Sequence, residues 1–158
     1  MKSILSGFSL VFLAASALAQ SAAIGYPPQG LSVAPGSSLT VQVERPVSFK
    51  VVLCLLSKPS TALLQNSLTG SEEVAVVIGL QSCPGTPCIS PADYMGQILY
   101  NGPFNPQYHE TYNPPYENFT VQIPSNSAVG TALIGVAHVT LVGVSPTFFE
   151  TCASSLLL

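Results

Sequence analysis

The sequence predicts an all-β chain, an immunoglobulin-like β-sandwich of about seven antiparallel strands. Three observations carry that expectation. Leu39, Val41 and Val43 alternate with Thr40, Gln42 and Glu44, the period of two expected of a half-buried strand. Val74-Ala75-Val76-Val77-Ile78 is an unbroken, largely β-branched apolar run, suited to a central strand covered on both faces. Finally, 14 prolines and 12 glycines are scattered along the chain and cut it into short segments.

Taken in order, residues 1–19 read as a signal peptide. Lys2 gives the positive start, Ile4 to Ala15 the apolar stretch, and Ala17-Leu18-Ala19 the small-x-small cleavage pattern. The run is too short to span a bilayer. Residues 20–158 then form one domain, and no later segment is long and apolar enough to cross a membrane. Tyr26-Pro27-Pro28-Gln29-Gly30 is a loop and Ala34-Pro35-Gly36-Ser37 a turn. Strands follow at Leu39–Glu44, Glu72–Leu80 and Ile98–Tyr100, the last ending in an Asn101-Gly102-Pro103 turn. Phe119, Val121 and Ile123 mark another half-buried strand. Residues 130–143 form the longest candidate, with Leu133, Val139 and Leu141 on one face and Ile134, Val136 and His138 on the other.

Two stretches break this pattern. Residues 47–65 hold the dense apolar run Val51 to Leu56, an isolated Cys54, and two of the mature chain's three basic residues. Excising them leaves a hairpin connection of ordinary length. They read as a retained intron, with a genuine extra strand or hairpin as the alternative. Residues 150–158 are doubtful as well: the strand that begins at Phe148 loses its alternation, which would leave a sheet edge open.

Charged residues make up only 7% of the chain. Beyond residue 19 the cations are Arg45, Lys50 and Lys58, too few and too scattered to neutralise a run of phosphates or an anionic membrane surface. Nucleic acid is therefore not an expected partner. No metal or other cofactor is expected either, because the four cysteines and two histidines do not fall at ligand spacing.

Cys83 and Cys88 flank Pro84-Gly85-Thr86-Pro87 and are expected to form a disulfide that fixes the shape of that loop. Cys54 and Cys152 would be left to pair with each other. Asn118-Phe119-Thr120 is a glycosylation sequon; if Phe119 points inward, Asn118 and Thr120 point to solvent. Tyr94, Tyr100, Phe104, Tyr108, Tyr112 and Tyr116 cluster in a proline-stiffened stretch. Rigid aromatic area of this kind serves binding surfaces, and the same rings would also serve to cap the open end of a sandwich. His109 beside Glu110 is a conceivable base and orienter, but no nucleophile motif or glycosidase-like carboxylate pair accompanies them, so catalytic residues are not expected. His138 is expected to be a structural side chain of its strand.

Several ordered stretches resemble the necrosis-inducing secreted effector family of fungi. They are Val33-Ala34-Pro35-Gly36, Thr69 to Gly79, Gly96 to Phe104, Asn118 to Pro124, and Gly130-Thr131-Ala132-Leu133 leading to His138. The resemblance spans residues 24–46 and 66–148. It implies a small secreted β-sandwich that is not an enzyme. It further implies an effector that binds plant immune receptor-associated kinases and suppresses pattern-triggered immunity. The second expectation, of another class, is a fungal cell-wall or carbohydrate-associated protein that uses the aromatic stretch as a stacking platform.

Overall fold

The computed structural model describes residues 22–45, 71–83, 85, 87–142 and 147–158. Eight strands run through them. They are β1 Ala23–Tyr26, β2 Leu31–Ser32, β3 Ser38–Glu44, β4 Ser71–Ser82, β5 Gln97–Pro103, β6 Tyr116–Gln122, β7 Thr131–Val142 and β8 Thr147–Leu157. One sheet has the order β1-β3-β6, the other β2-β8-β7-β4-β5. The described residues contain no helix. This is the all-β sandwich that the alternation predicts, with two differences. There are eight strands among the described residues, and the short β2 pairs parallel to β8.

Alternation decides what each sheet buries. Leu39, Val41 and Val43 of β3 lie buried beside Phe119 and Val121 of β6, with Val41 directly opposite Phe119. Against them stand Val76, Ile78 and Leu80 of β4, Ala132, Ile134 and Val136 of β7, and Leu156 of β8, all in one apolar cluster. Each of the larger side chains, valine, leucine, isoleucine or phenylalanine, contributes roughly 1.5–3 kcal/mol relative to exposure. The turn into β3 follows its sequence directly. Pro35 presets the first corner, Gly36 adopts φ +82°, and the Ser37 amide donates to the Ala34 carbonyl at 3.1 Å.

β4 does lie between two strands, β7 and β5. Its outer face is covered only along part of its length. Over Gly79, and over Gly135 of β7, Pro91 and Met95 of the following loop press close. Val74, further back, is exposed. Two other expectations need correction. Asn101-Gly102-Pro103 is not a turn; it completes β5, paired with Val77, Val76 and Ala75. Proline is tolerated there because β5 is an edge strand and Pro103 is its last residue. The C-terminal stretch does not lose its strand character. β8 pairs with β7 from Thr147↔Leu141 to Leu157↔Thr131. Cys152, Ser154 and Leu156 are buried in strict alternation, but that inward row is mostly small or polar and so carries no apolar signal. The signal peptide at residues 1–19, the segment at 47–65 and Cys54 lie outside the described residues.

The alternation on β6 is directly testable. Phe119→Ala should destabilise the fold by about 3–5 kcal/mol, whereas the neighbouring, exposed Thr120→Ala should stay within about 0.5 kcal/mol. Denaturant midpoints of the two variants check this, and equal costs would contradict the assigned facing.

Candidate functional site

One end of the sandwich gathers most of the chemistry. β3 and β5 finish there, and β4, β6 and β8 begin there. Six of the seven acidic residues sit at this end: Glu44, Glu72, Glu73, Glu110, Glu117 and Glu150, leaving only Asp93 elsewhere. The ladder between β4 and β7 slips by one residue between Glu73 and Ala75, so Val74 bulges out. A bulge shifts the facing of everything before it. Here it turns the Glu73 carboxylate inward, onto the same side as Val76.

Inside, Glu73 meets two partners. Its Oε2 bonds Nε2 of His138, and its Oε1 lies 2.7 Å from Nε of Arg45. His138 is 1% exposed, and its Nδ1 has no hydrogen-bond partner among the described residues. The Phe104 ring packs edge-on against the imidazole, with centroids 5.4 Å apart. Glu150 is the residue opposite His138 on β8. Burial pushes its carboxyl above the ordinary range, while His138 and the Ala22 amide pull it part of the way back. His138 is thus the structural side chain expected of its strand, now with its partners identified.

The Tyr- and Pro-rich stretch separates into two groups. Phe104 and Tyr116 are buried, and Tyr100 is half-buried with its ring 4.6 Å from Phe119. These three cap the core. Tyr108 and Tyr112 are 67% and 97% exposed. The loop that carries them is closed by a reciprocal backbone pair, Gln107 N–H to Tyr116 O at 3.1 Å and Tyr116 N–H to Gln107 O at 3.0 Å. Within it, Glu110 accepts from the Tyr116 hydroxyl at 3.1 Å and from Asn113 Nδ2 at 3.0 Å. Burial raises the Tyr116 phenol above its usual range, as do its bond to Glu110 and the nearby charges of Glu110 and Glu44. His109 packs against the Tyr116 ring with centroids 4.4 Å apart and the planes tilted by 37°. Glu110 and His109 therefore both meet Tyr116, one at its hydroxyl and the other at its ring.

Cys83 and Cys88 form the expected disulfide, with Cα atoms 5.3 Å apart. Asn118 and Thr120 are exposed on the edge strand β6 and Phe119 is buried, so the sequon asparagine is open to solvent. Cys152 is buried in β8. At the opposite end of β5 lies a feature that sequence reasoning did not reach. It is a cleft of about 250 Å³ between the end of β4, the Tyr94–Gln97 stretch and the Asn126–Ala128 turn. Its walls come from three separate parts of the chain, so no local pattern announces it.

The family model described as the Nis1 family matches residues 58–153. The chain belongs to the Nis1 family. The match takes in β4 to β7, most of β8, the disulfide, the sequon, Tyr108 and Tyr112, and both histidines. It opens inside the 47–65 segment and closes inside 150–158. Arg45 and β1 to β3 precede it. In this Nis1-family chain, then, one partner of Glu73 comes from inside the matched region and the other from outside it. No curated protein matches the chain. No helix among the described residues is long and apolar enough to cross a membrane.

Removing the Glu73 carboxylate takes from the buried His138 the partner of its Nε2 and from Arg45 one ion-pair partner. Glu73→Ala should therefore cost about 3–5 kcal/mol in unfolding free energy, and a loss below about 1 kcal/mol would show that the group is not a structural clasp. Glu150 gives a pH test. Its folded pKa lies above the ordinary 4.5, so the folded state binds the extra proton and stability falls as pH rises through that window. Glu150→Gln should melt higher than the parent at pH 7, and the difference should close once the pH drops below 4.5. A gain that persists unchanged in acid would contradict the assignment.

Proposed function

We propose that the protein is a secreted, non-catalytic effector that binds a host protein through the loop bearing Tyr108 and Tyr112. The class of partner is the immune receptor-associated kinase of plants, and the consequence of binding is weakened pattern-triggered immunity. Membership of the Nis1 family, which is associated with fungal effectors, supports the reading. The disulfide suits an oxidising, extracellular route.

The observation that carries the reading is the division of labour among the aromatic side chains. Tyr116, Phe104 and Tyr100 anchor the loop, while Tyr108 and Tyr112 project from it. A tyrosine held out on a braced loop offers large contact area with little conformational entropy left to lose on binding. Among the described residues the other exposed aromatics, Tyr26, Tyr94 and Phe149, stand singly; here two stand four residues apart on one loop. The concentration of carboxylates around that loop adds a second element. It favours a partner surface bearing lysine or arginine, through complementary charge and faster encounter.

Co-precipitation and binding measurements with a purified receptor-associated kinase domain test this. The parent chain should bind, faster at low salt than at high. Tyr108→Ala combined with Tyr112→Ala should weaken binding by at least about thirtyfold, as loss of a hot spot of roughly 2 kcal/mol requires. A double variant that binds like the parent, or a parent that binds no such kinase, would overturn the proposal.

A further inference from the structure

The cleft at the far end of β5 has a built character that its small size conceals. Three independent pins fix its wall. Gln81 donates from Nε2 to the carbonyls of Tyr94 at 3.2 Å and Ile89 at 3.4 Å, and its Oε1 accepts from the Ile89 amide at 3.1 Å. That buried side chain has its hydrogen bonds made internally and acts as a strut between β4 and the loop. The Cys83–Cys88 disulfide closes the base of the same loop. Gly96, at φ +71°, brings the chain so close to β4 that a Cβ would stand 2.1 Å from the Leu80 carbonyl oxygen. Only glycine fits that approach.

What the pinned wall presents is consistent in kind. Ser82, Gln97, Asn126 and Ser127 line the cleft together with Tyr94, a residue 54% exposed. No lining residue is charged. Hydroxyl and carboxamide groups both donate and accept, as the adjacent hydroxyls of a sugar do, and an exposed aromatic ring offers a face for the apolar side of a pyranose. An anionic or cationic ligand would find no countercharge here. The volume lies below the roughly 300–1,000 Å³ typical of drug-sized sites, and so suits one or two sugar rings of a chain that continues into solvent.

From this we infer that the cleft is a binding subsite for a neutral oligosaccharide, with Tyr94 as the stacking ring and Gln97, Asn126 and Ser82 as hydrogen-bonding partners. It stands at the opposite end of β5 from the Tyr108–Tyr112 loop and does not depend on the function proposed for that loop. The chain would thus hold a polysaccharide surface at one end while leaving the other end unobstructed.

The test uses the secreted chain, isotopically labelled, titrated with chitotetraose, cellotetraose and a linear β-1,3-glucan oligomer in separate arms, with amide shifts as the readout. Saturable shifts confined to Tyr94–Gln97 and Asn126–Ala128 are expected in at least one arm, and the arm that responds identifies the polymer. Tyr94→Ala, which keeps the carbonyl that Gln81 uses, and Gln97→Ala should each weaken binding by about tenfold with the remaining spectrum unchanged. Tyr112→Ala should leave saccharide binding as it was. Absence of shifts in all three arms up to millimolar sugar overturns the inference. So do shifts centred on residues 104–115, or binding indifferent to Tyr94→Ala.

Discussion

The carboxylate of Glu73 is the group on which this sandwich turns. It leaves β4 toward the interior, where an unpaired negative charge would cost several kcal/mol. Two cationic or hydrogen-bonding partners make it tenable, and they come from different places. His138 reaches it from the neighbouring strand β7, and Arg45 from the end of β3 in the other sheet. The group can be satisfied only when both sheets are assembled and in register. A one-residue slip of β4 would turn the Glu73 carboxylate outward and break both of these contacts, so the ionic group ties the register of β4 to the packing of the two sheets.

The same clasp sets the geometry of the exposed loop. The Arg45 amide donates to the Pro115 carbonyl at 2.8 Å, which ties the end of β3 to the start of β6. Phe104 leaves β5 and lies against His138. Between these two fixed points the chain runs out through Tyr108 and Tyr112 and returns through Tyr116. Its base is then fastened by the Glu117 carboxylate, which accepts the Asn105 amide at 2.7 Å. The loop is thus braced from beneath by a buried network and from within by Glu110, so its tyrosines project from a supported frame. A contact surface made in this way retains affinity because little ordering remains to be done at the moment of binding.

Legibility of the fold in the sequence followed the strength of the apolar pattern. β3 and β6 were readable to within a residue or two because every second side chain is a large hydrophobe on one face only. β7 was readable in extent because apolar side chains continue along both of its faces between Gly130 and Gly143. β8 was not, because its inward row of Cys152, Ser154 and Leu156 follows the geometry of a strand without its usual hydrophobicity. Asn101-Gly102-Pro103 misled in the opposite sense: three turn-forming residues sit in a strand, tolerated because the partner-free edge of β5 asks nothing of Pro103. Among the aromatic residues, composition could place the cluster but could not divide it into anchors and projections. That division depends on which residues lie in or directly beside a strand, as Tyr116 and Phe104 do, and which fall beyond the last backbone pair at Gln107. The bulge at Val74 and the polar cleft were beyond reach, since each arises from the meeting of segments far apart in the chain.

A chain with so few charges has placed almost all of its carboxylates at one end of the sandwich, and this asymmetry has a physical logic. Ionised groups near a sandwich core require partners, and partners are most economically supplied where several strand ends converge and side chains can approach from many directions. At the opposite end, order is achieved without charge, by an amide strut, a disulfide and a backbone contact that only glycine permits. The two ends therefore differ in what they are able to recognise. Carboxylates and projecting tyrosines suit a large, basic, protein-like surface, while uncharged hydroxyls and amides in a fixed cleft suit a small neutral polyol. Because each end is stiffened by its own set of interactions, a change at one need not disturb the other. Two surfaces at opposite ends of one sandwich, each stiffened separately, need no linker between them.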